Sequence, residues 1–140
     1  MKKSILLVLM GLNALMQAGG GTMMLTQPGK MARELFHVAG GDAERLIGVI
    51  GAATLAFMVL SVTATVLVLR DERAGYDLSL VLGVLLGGIG VALLATGFSC
   101  GNIDVVKGLV LALAAATARA ARAGRASPVR APASSRLRAS

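Results

Sequence analysis

The 140-residue chain is 56% hydrophobic and 15% charged, with a formal net charge of +7 and a mean hydropathy of +0.78. Soluble domains carry nearer a quarter of charged residues, so this composition places the chain among integral membrane proteins. One cysteine, Cys100, and one histidine, His37, leave an internal disulfide and a clustered metal or haem site unsupported, and no cofactor is expected.

The first apolar stretch follows Lys2 and Lys3 and extends to Met24. It has two readings. A secretory leader cut after Gly20 would put Ala18 at the −3 position, whereas an uncleaved helix over residues 4–24 is long enough to cross a bilayer. The spanning reading is favoured, because Ala14 and Ala18 have the small-xxx-small spacing of helix packing. Asn13 lies near the middle, where an amide makes a polar contact with another helix.

The connection TQPGKMARELFHVAGGDAER covers residues 26–45. Pro28 can open a helix, because its missing N–H would be unpaired in a first turn anyway. Met31, Leu35 and Val38 then share a face, which predicts a short interfacial helix over 28–39. Gly40 and Gly41 end it and Asp42 caps the next helix. His37 reads as a solvated side chain.

Residues 46–69 form an apolar run with no charge, proline or amide. As a helix it reaches about 36 Å, against the roughly 30 Å of a bilayer core, so it spans. Gly48, Ala52 and Ala56 repeat a small residue every fourth position and predict a packing groove. Ser61, Thr63 and Thr65 can bond to carbonyls one turn back. A charged loop over 70–77 predicts an antiparallel hairpin with the next run, 78–98, which is capped by Asp77. In that run Gly83 and Gly87 form a GxxxG pair, within the chain or between chains.

Asp104 is the expected cap of a fourth run, 104–119, in which Gly108, Ala112 and Ala116 continue the small-residue pattern. Lys107 lies one turn inside, where its stem can reach the interface; at mid-bilayer it would cost about 2.5 to 3.5 kcal/mol. Asp104 and Lys107 are at i,i+3 and can pair. Residues 120–140 hold small residues, two prolines and spaced arginines without an acid, which predicts a disordered basic tail that meets anionic lipid head groups.

The fold class is therefore all-α, a transmembrane bundle of four helices over 1–119, or three if the first run is a cleaved signal peptide. Lys2, Lys3, Arg70, Arg73 and the six C-terminal arginines from Arg119 onward then share one side, ten of the fourteen basic residues. That bias predicts both termini in the cytoplasm and a multi-pass protein of the inner membrane. No basic face interleaved with aromatics exists, so nucleic acid is not an expected partner.

Four helices in about 140 residues, the connection LTQPGKMARELF after the first, and a Gly-rich third helix resemble the DoxX-like group of small bacterial membrane proteins, over residues 4–118 by layout. The resemblance implies a four-helix bundle, in some members a subunit of a membrane redox complex. It carries over no functional residues. The basic tail and the SCGN turn fall outside that layout.

Every carboxylate lies in a connection or at a predicted helix end, so no acid, base and nucleophile converge and no enzyme is expected. The expected role is accessory or structural, through helix contacts with a second copy or a membrane-protein partner. The alternative is a holin-like or small-solute permeability protein.

Overall fold

A computed structural model describes residues 1–37, 40–95 and 101–126, with the backbone alone for Leu35 and Phe36. Five helices follow in order: α1 (Lys2–Thr26), α2 (Pro28–Phe36), α3 (Gly41–Leu69), α4 (Arg73–Ala95) and α5 (Gly101–Ala126). The described residues contain no strand, so the fold is all-α. Three helices, α1, α3 and α4, are long and apolar enough to cross a membrane. Their outward faces carry large apolar side chains; Leu15 is 72% exposed, Val49 66% and Val84 62%. Lipid is the solvent that suits such surfaces, and the chain is a small membrane protein.

The helices associate as two tight pairs, α1 with α3 and α4 with α5. Glycine is the reason in both. A Cβ at Gly51 would lie 2.8 Å from Met24 Cβ and 3.1 Å from the Gly21 carbonyl, so α1 and α3 approach to a distance that only a missing side chain permits. On the other pair a Cβ at Gly83 would lie 2.6 Å from the Ala112 nitrogen, and one at Gly90 would lie 2.8 Å from the Gly101 carbonyl. The pairs join through the three-residue turn between α3 and α4. There Asp71 takes a left-handed φ of 59° and Glu72 N–H donates to the Leu67 carbonyl at 2.9 Å.

At the turn end a continuous layer of Leu6, Met10, Val68, Tyr76, Leu82 and Leu111 is almost wholly buried and seals the four helices together. Leu6 and Met10 make α1 an integral part of this layer.

Helix starts differ from the sequence reading. None of the three aspartates acts as a cap. The α3 helix begins at Gly41 after a Gly40 with φ of 124°, so Asp42 already lies in its first turn. The α4 helix begins at Arg73, which leaves Asp77 one turn inside, and α5 begins at Gly101 with Asp104 in its first turn. Asp42 and Asp104, in first turns, still face the positive end of the helix dipole, which accounts for their position without a cap, whereas Asp77 lies beyond the first turn and pairs with Arg119 and Arg73. At the other end α5 continues to Ala126, so residues 120–126 of the expected tail are helical, as their alanines and arginines favour. The α2 helix opens with Pro28 as expected and ends at a left-handed His37, φ 53°. Residues 38–39 of the expected interfacial helix, 96–98 of the third run, Cys100 and 127–140 of the tail lie outside the described residues.

Candidate functional site

Because glycines draw each pair together and the core layer seals only the turn end, the two pairs stand apart over the other half of their length. A cavity of about 360 Å³ lies between them. Asn13 and Gln17 reach it from α1, Thr54 and Phe57 from α3, Leu86 and Ile89 from α4, and Asp104 and Lys107 from α5. Its walls are mainly apolar, with these few polar groups set among them.

Each polar group has a different state. Gln17 Oε1 accepts a hydrogen bond from Ser61 Oγ at 3.3 Å. Thr54 Oγ1 donates to the Ile50 carbonyl at 2.8 Å, as Thr63 and Thr65 do to carbonyls one turn back, at 2.9 and 2.7 Å. Asp104 and Lys107 form an ion pair at 3.9 Å with both side chains less than a third exposed. Asn13 is 9% exposed and its amide has no hydrogen-bond partner among the described residues. Its nitrogen and oxygen are not shut off from the cavity, so the amide can pair with whatever occupies that space.

The three residues singled out as polar contacts, Asn13, Asp104 and Lys107, thus line one space although 91 residues of sequence separate the first two. Gln17 was missed. Its signal was its position four residues after Asn13 in an otherwise apolar run, which puts two amides on one helix face.

The packing residues divide. Gly83, Gly87, Gly108 and Ala112 meet at the α4–α5 crossing, where Gly108 sits directly against the Gly87 backbone. Gly48, by contrast, has open space where a Cβ would be, and Ala52 and Ala56 are exposed. The side of α3 that meets other helices carries Gly51, Ser61 and Ala64 instead, so the expected groove is the outward one. The α3 helix is apolar all round, and the small-residue spacing alone left two sides to choose from.

A second cluster closes the turn end. Asp71 Oδ1 accepts from the Tyr76 hydroxyl at 2.6 Å and lies 3.7 Å from Lys3 Nζ and 4.0 Å from Arg122 Nε. Lys3 also donates to the Leu69 carbonyl at 3.2 Å and Arg122 to the Asp71 carbonyl at 3.0 Å. One turn on, Asp77 pairs with Arg119 at 2.9 Å and with Arg73 at 3.6 Å. The Tyr76 hydrogen bond holds the Asp71 carboxyl below the usual carboxylate range; desolvation opposes this, and Lys3, Arg122 and Arg125 reinforce it. This is a clamp that ties α1, α4 and α5 to the α3–α4 turn.

The cavity can bind and orient, but it presents one carboxylate and one ammonium already paired, with no nucleophile beside them. Among the described residues no three of His, Cys, Asp and Glu are grouped to hold a metal ion. No known protein family, no curated protein and no solved structure matches the chain. The resemblance to the DoxX-like group rests on layout alone.

Proposed function

We propose that the protein is a non-catalytic, accessory component of the bacterial inner membrane, a four-span bundle with both termini in the cytoplasm that acts through helix–helix contacts. The observation that carries this reading is the destination of its charged side chains. Lys3, Arg73, Arg119 and Arg122 turn onto Asp71 and Asp77 at one end, where they hold helices together and mark the positive, cytoplasmic side. Insertion of α5 as a fourth span is supported by its outward Ile103, Val106, Leu109 and Leu113, all more than half exposed. An uncleaved α1 is supported by the burial of Leu6 and Met10 in the core layer. The outward Gly48, Ala52 and Ala56 leave a shallow face on α3 that a second copy or a partner helix can approach closely. Arg122 and Arg125 stand at the same end, beside Asp71, where anionic lipid head groups would meet them.

Cross-linking in mild detergent tests this reading. An oligomer or a defined membrane partner is expected, lost on Ala52→Leu; a strictly monomeric, unaccompanied protein would contradict it.

The cavity favours a second reading, a small-solute permeability protein. The sealed layer of Leu6, Met10, Val68, Tyr76 and Leu111 opposes it, because any path must cross a dry apolar barrier below the cavity. Dye release from proteoliposomes decides, and release no greater than from empty vesicles is expected.

A further inference from the structure

The α1–α5 side of the cavity opens to the lipid-facing surface. A second, almost wholly apolar cavity of about 160 Å³ lies between these two helices, and it shares Asn13, Met16 and Lys107 with the first. Leu9, Leu12, Val106 and Val110 form its other walls. Leu12 is 56% exposed and Val106 60%, so the second cavity ends on the outside of the bundle. The two spaces adjoin at the three shared side chains as a cleft with the polar groups in its first part and an apolar mouth, at the outer surface, in its second.

We infer that this cleft binds a single-chain amphiphile with an uncharged, hydrogen-bonding head, which enters sideways from the bilayer. The head seats among Asn13, Gln17 and the Asp104–Lys107 pair, and the chain leaves between α1 and α5. Three observations support this ligand class. Asn13 brings an amide that can both donate and accept, while the Gln17 oxygen is already engaged by Ser61, which leaves its N–H groups as what that side chain can still offer. Lys107 and Asp104 offset each other, so a head of either charge would meet an opposing group in a low-dielectric space, whereas hydroxyl and ester groups suit both. The volume falls within the roughly 300 to 1,000 Å³ of small-molecule sites.

The inference rests on α1 and α5 both lying in lipid. Topology mapping checks that placement separately, so a protein that spans as proposed and takes no amphiphile contradicts this inference alone. The experiment uses the full chain in phosphatidylcholine vesicles and 1-monolauroylglycerol with a diazirine in its acyl chain. Saturable photolabelling of Leu9, Leu12, Met16, Val106 and Val110 is expected. Unlabelled monolauroylglycerol should compete at least about ten-fold better than dodecanoate or dodecyltrimethylammonium, because charged heads lose the uncharged fit. Asn13→Leu should weaken labelling by roughly ten-fold, the scale of one lost hydrogen bond. Met16→Trp, which narrows the junction of the two spaces from a half-exposed position, should abolish it, and Val49→Trp on the outer face of α3 should leave it unchanged. Labelling that does not saturate, that spreads evenly over Val8 and Leu15, or that survives Met16→Trp in a normally inserted protein would overturn the inference. Equal competition by either charged amphiphile would overturn the assignment of an uncharged head.

Discussion

Tyr76 donates its hydroxyl to Asp71 Oδ1 at 2.6 Å, so the left-handed residue of the α3–α4 turn is held from the first turn of α4. Tyr76 is 1% exposed and lies in the core layer, while Asp71 also faces Lys3 of α1 and Arg122 of α5. One aspartate therefore reports on the closure of the whole turn end. Asp71→Asn keeps the shape and tolerates the left-handed backbone but removes the charge. It should lower the melting temperature in detergent, and Tyr76→Phe should do so by a similar route. A double variant no worse than the poorer single would show that the two act as one unit.

The same carboxyl gives the protein a pH dependence of known sign. Its pKa is lowered from the ordinary 3.8 on folding, chiefly by the Tyr76 hydrogen bond. The contribution is thus fully present above about pH 4 and is lost as pH falls through the depressed value. The difference in melting temperature between wild type and Asp71→Asn should be constant at neutral pH and shrink in acid. A difference that widens in acid would contradict this.

Close backbone contact makes α4–α5 the least tolerant of added volume. Gly83→Leu and Gly108→Ala each place carbon where a neighbouring backbone already lies. Each should destabilise by about 1 to 3 kcal/mol or more, the usual scale of overpacking. Gly48→Leu meets open space and should leave monomer stability nearly unchanged. Thermal melts of the three variants in one detergent compare them directly.

In the cavity, Lys107→Met leaves Asp104 without its partner in a space less than a third exposed. Removing both charges with Asp104→Asn and Lys107→Met should be milder than Lys107→Met alone. The expected coupling is roughly 0.5 to 3 kcal/mol, read from a double-variant cycle.

The sequence made the helices legible because an uncharged run as long as residues 46–69 has few other uses, and because Pro28 announces the start of α2. It made half of the packing legible. Gly83 and Gly87 lie opposite Gly108 and Ala112, each on a helix whose small residues cluster on one side. On α3 the clue failed, since Gly48 and Gly51 stand only about 60° apart around a helix that is apolar on every side, and periodicity does not say which of them meets a neighbour. The caps failed for a related reason. An aspartate near a helix start is favourable through the whole first turn, as at Asp42 and Asp104, and one just beyond it can pair instead, as Asp77 does with Arg119. The cavity arises from two separate glycine contacts, one on each helix pair, and no local pattern encodes the gap that they leave. Asn13 and Lys107 were each noticeable alone; their meeting is a property of the fold.

Topology decides the rest, because the proposed cytoplasmic side of the clamp, the proposed lipid-facing cleft and the proposed fourth span all depend on how the helices cross. Cys100 lies in sequence between α4 and α5, opposite the α3–α4 turn if α4 spans. The measurement is labelling of intact cells with an impermeant maleimide, in the native chain and in a Glu72→Cys variant of a Cys100→Ala background. Cys100 should label from outside, and the Glu72→Cys variant only after permeabilisation. The reverse pattern would contradict the proposed orientation, and labelling of both from outside would show that α4 does not cross the membrane.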